Sequence, residues 1–347
     1  MNRARPQRFH RRGFTLVELL VASGVTVLLV GFIVAVVSNV SGFWTRSTGR
    51  LSAEAQARYA LDQITLDLQS AQFRDDGATW LAASVPATTA TSALWSVVGA
   101  TTGNLKPATA TGTTLVYRTA TIADATFGPA GTWLRFFTTK RGANTVTGTT
   151  TDFATVSAPV AVGWQIIRRA SATNANNTDR RYFLQRAEVT PANTLATPLD
   201  ITNAAYVGAA AQPGNTGTLG TARSVRTPQD LGSIIAENVI DFGVYFYTQP
   251  ARAASSTAPI RIFPSAAETT HLANSPPRIG AATAQFPETA DVMIRVLTDE
   301  GATLIASYEA GRITAPTGRS NAQYWWDLAL AHSRVFTRRI LIRAQPL

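Results

Sequence analysis

The residues most open to a chemical reading stand near the start, in Arg11-Arg12-Gly13-Phe14-Thr15-Leu16-Val17-Glu18-Leu19-Leu20. A basic run stops at a glycine, an aromatic residue follows, and a nearly unbroken apolar run begins. Glu18 is the one acid in that run, five residues past the glycine. A charged side chain costs about 2.5–3.5 kcal/mol at the centre of a membrane helix, so an acid kept there marks a function. The competing reading is a Glu18 close enough to the interface to snorkel to water. Elsewhere the candidates are few. The three histidines are His10, His271, which falls in a loop, and His332, which falls on an aromatic-rich helix and reads as a satisfied, partly buried residue. Ser333 beside His332 is no nucleophile by adjacency alone, and no Gly-x-Ser-x-Gly elbow exists. A phosphate-cradling loop and a Gly-x-Gly-x-x-Gly turn are also missing. Asn174, Asn176, Asn177 and Asp179 offer oxygens to calcium, but one acid is thin for a hard cation, and a polar turn is the better reading. With no cysteine, thiolate catalysis, cysteine zinc sites and disulfides are excluded. These residues assign no catalytic group, no cofactor and no metal site, and the expectation is a protein that is not an enzyme.

The elements that must position Glu18 begin with the apolar run itself. From Leu19 to about Val37 the chain is almost wholly apolar, and after Glu18 the next charge is Arg46. About 20 apolar residues suffice to span the hydrocarbon core. Arg3, Arg5, Arg8, Arg11 and Arg12 lie just before the span, which places the N-terminus in the cytoplasm and the remainder in the periplasm or outside. A secretory signal peptide would be cut after the apolar run at a small-residue site, but this run is longer and flows into a further helix. A plain signal anchor accounts for the arginines and the span but not for Gly13-Phe14 or Glu18. Gly24 and Gly31 share one helix face, which reads either as a close-packing surface or as mere tolerance of glycine in a membrane helix. Beyond Trp44 the pattern turns amphipathic, with Ala57, Leu61, Ile64, Leu68 and Ala71 on one face. Glu54, Arg58, Asp62 and Asp67 read as a solvated surface, with Arg58 and Asp62 as an i,i+4 pair. An unbroken helix is expected from about Phe14 to Gln72, about 90 Å long, ending at Arg74-Asp75-Asp76-Gly77.

The sequence of basic leader, Gly13, Phe14, Thr15, two apolar residues and Glu18 resembles the class III signal of type IV prepilins and type II secretion pseudopilins, position by position. The resemblance implies a prepilin peptidase that cuts between Gly13 and Phe14 on the cytoplasmic side and N-methylates Phe14. It implies a Glu18 that pairs, within the membrane, with the N-terminal ammonium of a neighbouring subunit. Desolvation offsets much of that attraction, so the pair is better viewed as a register device than as net glue. The implied organisation is a leader over 1–13, a long helix over 14–72 with its membrane segment at about 17–40, and a periplasmic β-rich head over 73–347. The implied fold is α+β and pilin-like: a long helix, membrane-spanning in its first half, packed on an antiparallel β-sheet head. Many pilins carry a proline in mid-segment; here Phe14–Gln72 has none. The segment Arg58-Tyr59-Ala60-Leu61-Asp62-Gln63-Ile64-Thr65-Leu66-Asp67-Leu68 also resembles the J-type pseudopilin and the W-type minor pilin.

In the head, Trp80 and Trp95 read as buried anchors. Strands are expected over Thr114–Thr119, Thr132–Thr138, Val160–Arg168, Arg180–Val189, Val239–Tyr247, Ile260–Phe263 and Asp291–Leu297, several alternating as in a half-exposed sheet. Long loops over Lys140–Ala154, Ser171–Asp179, Asn193–Gln229 and Ala251–Ala258 decorate it. Helices are expected over Asp299–Gly311, with Leu304, Ile305 and Tyr308 inward, and Ala322–Phe336, with Trp325 and Trp326 in the core. A last strand follows over Arg338–Arg343. The ending Ala331-His332-Ser333-Arg334-Val335-Phe336-Thr337-Arg338-Arg339-Ile340 resembles the prepilin-like Verru_Chthon cassette protein C family.

The bulk charge excludes one class of partner. The formal +10 includes five leader arginines; without them 26 basic residues face 21 acidic ones, scattered along the chain. A nucleic-acid surface needs clustered cations. The leading reading is a minor pilin or pseudopilin subunit, processed after Gly13 and built through its N-terminal helix into a type II secretion or type IV pilus filament or its tip. Its partners would be the prepilin peptidase, other pilin subunits and the inner membrane, with secreted cargo as a further candidate. Many major pilins carry a C-terminal disulfide, and the lack of cysteine leans away from that role. The alternative is a single-pass, membrane-anchored binding or adhesion module.

Overall fold

The computed structural model describes residues 15–85, 106–107, 121–128, 131–139, 159–170, 180–189, 191–207, 234–250, 258–265, 269–343 and 345–346. The chain divides into two compact units, residues 1–50 and 51–347. In the first, the described residues are Thr15 and the start of helix α1 (Leu16–Gln69). Its large apolar side chains up to Trp44 are exposed. It is the one helix among the described residues long and apolar enough to cross a membrane.

The second unit starts with the rest of α1. Small residues open the helix to close approach: Ala53, Ala57 and Ala60 are buried, followed by Leu61, Ile64 and Leu68. Their spacing of three and four lines one helix face. Tyr59 and Leu66 lie on the opposite face and are exposed. The expected inward set, Ala57 through Ala71, is buried throughout.

Two antiparallel sheets make the head. The larger contains, in spatial order, β6 (Ile234–Glu237), β5 (Arg180–Glu188), β4 (Pro159–Ala170), β3 (Trp133–Thr139), β2 (Leu81–Ser84) and β9 (Thr270–Ala273). The smaller contains β11 (Ser333–Leu341), β10 (Thr289–Leu297), β7 (Val239–Thr248) and β8 (Ile260–Phe263). A short parallel pair, β1 (Gln72–Phe73) with β12 (Gln345–Pro346), brings the chain just past α1 against its C-terminal stretch. Helices α2 (Pro191–Leu195) and α3 (Ala204–Val207) occupy part of the expected Asn193–Gln229 loop. Helix α4 (Asp299–Glu309) starts at an N-cap, Thr298, whose hydroxyl accepts from Gly301 N. Helix α5 (Asn321–Ala331) starts with a capping box between Ser320 and Gln323. Both arrangements satisfy backbone donors that a helix start leaves without partners. The architecture is the expected α+β, pilin-like one.

Several boundaries shift, each for a physical reason. α1 stops at Gln69 because Ala71 bridges Thr138 and the next two residues pair with β12. Asp76-Gly77 forms a separate turn, in which Asp76 Oδ1 accepts from Ala78 N and Trp80 Nε1. The helix expected to Phe336 ends at Ala331, because residues 333–341 are all committed to pairing with β10. Strand β3 was expected half-exposed but is buried along nearly its whole length. Its polar position, Arg135, is covered too, the guanidinium 3.9 Å over the Trp133 ring. β2, β6 and β9 were not foreseen: their runs are four residues long and offer little periodicity. The expected strand Thr114–Thr119 and Trp95 lie outside the described residues, as do the Lys140–Ala154 loop, most of Ala251–Ala258 and the Asn174–Asp179 turn.

The core joins both sheets. Trp80, Trp164, Phe136, Phe137, Phe242 and Trp326 are fully or almost fully buried. Residues 121–128 lie over β7, where the Phe127 ring packs tilted against Tyr245, centroids 5.7 Å apart. That approach requires Gly243, since a Cβ there would stand 1.8 Å from the Phe127 ring.

Candidate functional site

Gly13 and Phe14 lie outside the described residues; the first described position is Thr15. Thr15 caps α1. Its hydroxyl accepts from Glu18 N at 3.3 Å, and Glu18 Oε2 accepts from Thr15 N and from Thr15 Oγ1, both at 2.9 Å. This is a reciprocal capping box, three residues apart, at the first turn of the helix. An acid at a helix N-terminus also meets the positive end of the helix dipole. The acid that stands alone in the apolar run therefore has a local place, with its carboxylate held on Thr15. After Glu18, every large apolar side chain up to Val40 is exposed, including Phe32 at 71 %. A Cβ added at Gly24 or Gly31 would meet nothing within 4 Å.

Residues 8–34 match the prokaryotic N-terminal methylation motif. That stretch includes Gly13, Phe14 and Glu18. No curated protein and no solved structure matches the chain. The motif implies processing by prepilin peptidase. With one N-terminal apolar helix, it is consistent with anchoring in the inner membrane before assembly. The motif and the pilin-like architecture together suggest a pilin or pseudopilin subunit, and pilin-like proteins are typically structural and not enzymatic.

Within the head, the most developed polar site is one sequence reading placed in solvent. Asp67 is 8 % exposed. Its carboxylate takes a two-pronged contact from Arg186 (Nε to Oδ2, 2.7 Å; Nη2 to Oδ1, 2.9 Å) and a third bond from Trp164 Nε1 at 2.9 Å. Its carbonyl accepts from Thr138 Oγ1 at 2.8 Å. Arg186 also bonds Glu188. Burial disfavours the Arg186 cation, yet the bonds from Asp67 and Glu188 win and raise its pKa above the ordinary arginine value. One residue of α1 thus fastens the helix to β3, β4 and β5. Its sequence signal is its position between Ile64 and Leu68, at the margin of the buried face. The expected Arg58–Asp62 pair is replaced: Arg58 binds Glu54, and Asp62 binds Arg338 of β11. A second polar cluster centres on Glu309, which accepts from Arg168 Nε (2.8 Å), Tyr182 Oη (2.6 Å) and Trp325 Nε1 (2.9 Å).

The histidines do not gather into a reactive site. His271 belongs to strand β9, not to a loop, and is fully buried. Its Nε2 is 2.9 Å from Gln285 O, and the rings of Phe246 and Phe263 lie 5.8 and 6.1 Å away. Burial pushes its pKa down to about 4, partly opposed by the Gln285 contact. His332 is half-buried at the C-cap of α5, and its carbonyl accepts from Thr298 N. Trp325 and Trp326 are core residues in edge contact at 5.1 Å. Among the described residues, no group of three or more acidic or imidazole side chains could hold a metal ion.

Proposed function

We propose that this chain is a minor pilin or pseudopilin, cleaved between Gly13 and Phe14, N-methylated on Phe14, and built into a type II secretion or type IV pilus-type filament or its tip. The observation that carries the reading is the pairing of the methylation motif at residues 8–34 with the exposed apolar first stretch of α1, in which Glu18 is the one charge before Arg46. An exposed aliphatic surface of that length needs lipid or other helices around it. Glu18, capped by Thr15, stands one turn from the new terminus. In this reading the ammonium of a neighbouring subunit sets its register against that carboxylate. The N-terminus faces the cytoplasm and the head the periplasm. A head of this size fits poorly at every position of a tight shaft, which favours the tip, as does the resemblance to the J-type and W-type subunits.

The test is expression with and without a cognate prepilin peptidase, followed by intact mass and N-terminal peptide sequencing. A product that begins at N-methyl-Phe14 is expected. A chain that still begins at Met1, with the peptidase shown to be active on a control prepilin, would overturn the filament reading. That outcome would leave a membrane-anchored binding module.

A further inference from the structure

The chain contains 29 arginines and two lysines, Lys106 and Lys140. Lys106 is fully buried, and so is the acid it meets, Asp241 of β7. Nζ lies 2.9 Å from Asp241 Oδ1 and 3.1 Å from Phe127 O. The Trp326 ring covers it, 5.5 Å from Nζ to centroid, and Trp326 Nε1 holds the adjoining Pro107 carbonyl at 2.9 Å. Elsewhere the acids Asp67, Glu309, Asp291 and Glu288 each pair with an arginine. Arginine is the better partner for a buried ion pair, because its planar fork fits a carboxylate and sheds water more readily. What lysine supplies and arginine does not is an amine that can lose its proton and act as a nucleophile.

We infer that Lys106 and Asp241 form an intramolecular amide cross-link between Nζ and Cγ, made by the folded head itself. The step balances without any co-reactant. In the first step one ammonium proton passes to the carboxylate, within hydrogen-bond reach at 2.9 Å. Burial already pushes the Lys106 pKa down, though Asp241 opposes the shift. The neutral amine attacks Cγ. Phe127 N, 3.2 Å from both carboxylate oxygens, donates to the oxygen that gathers charge, and the Arg295 cation faces the same acid. The second Nζ proton passes to the departing hydroxyl, the C–O bond breaks, and one water leaves. The product fits the groups already in place: the new amide N–H keeps Phe127 O as acceptor, and its carbonyl keeps Phe127 N as donor. The bond would tie positions 135 residues apart in a chain that has no cysteine to do so.

The test is the mass of the wild-type full chain, purified in detergent and then denatured. The expected mass is one water below that calculated from its own mapped N-terminus. A tryptic digest should contain a branched peptide joining 75–118 to 227–252, with fragment ions that place the bond between Lys106 and Asp241. Full mass with both peptides linear, and Lys106 Nζ open to acetylation after denaturation, would overturn the inference. So would a lost water mapped elsewhere, such as to a cyclised asparagine. Lys106→Arg keeps the charge but removes the nucleophile. It should restore the full mass and lower the thermal midpoint, and a variant that still lacked one water would also refute the cross-link.

Discussion

Up to Val40, α1 shows its large apolar side chains to the outside: Leu16 is 82 % exposed and Leu28 75 %. From Ala53 to Leu68 the same helix buries every position of its inward face and fixes its charges to the head. The two stretches share a backbone geometry and differ in what surrounds them. The first contains one charge, Glu18, before Arg46, so there is no polar face to set against an apolar one. The second alternates faces at helical spacing, and alanine at 53, 57 and 60 lets a sheet approach. A uniformly apolar helix is at home where neighbours are apolar on all sides, as in a bilayer or among like helices. An amphipathic helix suits a surface that covers only one side. α1 therefore divides into an exposed apolar half, to which the proposed function gives assembly, and a docking half, and a substitution in one should leave the other's readout alone.

The largest effect is expected from Glu18→Val. It removes the only charge between Gly13 and Arg46 and, with it, the capping contacts to Thr15. On the proposed function, sedimentable filaments containing the chain should be absent, while cleavage after Gly13 continues. The head's denaturation midpoint should not move. A variant that assembled normally would remove the distinction between the two halves. Asp67→Ala is the reciprocal case. It takes two contacts from Arg186, which keeps only Glu188, and an acceptor from Trp164. Breaking a buried pair by removing one partner costs about 3–5 kcal/mol, and the slight exposure of this pair puts the expectation at the lower end. Urea denaturation of the full chain in detergent measures it, and N-terminal processing should be unaltered. A loss under about 1 kcal/mol would mean that apolar packing alone docks the helix.

His271 gives the head a pH dependence. Its imidazole is held neutral, with a folded pKa of about 4 against 6.5 ordinarily. Between those values the unfolded chain binds a proton that the folded chain refuses. The stability at stake is thus complete above about pH 6.5, declines as pH falls, and is fully lost below about pH 4. The span corresponds to about 3 kcal/mol. Denaturation midpoints taken from pH 7 to pH 4 should show the decline, and His271→Leu should flatten that part of the curve.

How far the sequence could be read followed how local the governing physics was. The methylation motif is a linear string, and the inward face of α1 follows from helical spacing, so both were legible. The capping box is present in the letters as Thr15-x-x-Glu18, though an acid at the head of an apolar run fits a membrane role as well as a cap. Asp67 was not legible, because its partners Trp164 and Arg186 lie about a hundred residues away. A charged residue at the border of an apolar face reads as solvated until a sheet covers it. The four-residue strands β2, β6 and β9 owe their place to neighbours and not to their own periodicity. His271 looked like a loop residue for the same reason. The Lys106–Asp241 pair left one compositional trace, a rare lysine among many arginines, while its burial needed the fold.

The smallest predicted effect tests where docking ends. Asp62 lies one turn before Leu66 on α1 and bonds Arg338 of β11, but its side chain is 60 % exposed and Arg338's 34 %. Water competes for both groups, and such pairs contribute about 0.2–1 kcal/mol. Asp62→Ala should therefore shift the urea midpoint by only a small fraction of the Asp67→Ala shift, and added salt should shrink the difference further. Arg338 also reaches Thr65 Oγ1 at 3.3 Å, so the guanidinium keeps one contact to the helix when Asp62 is removed. If Asp62→Ala instead matched Asp67→Ala, the boundary between a covered and a solvated face of α1 would have to move outward to include it. β11 would then rank with the larger sheet as a seat for the helix.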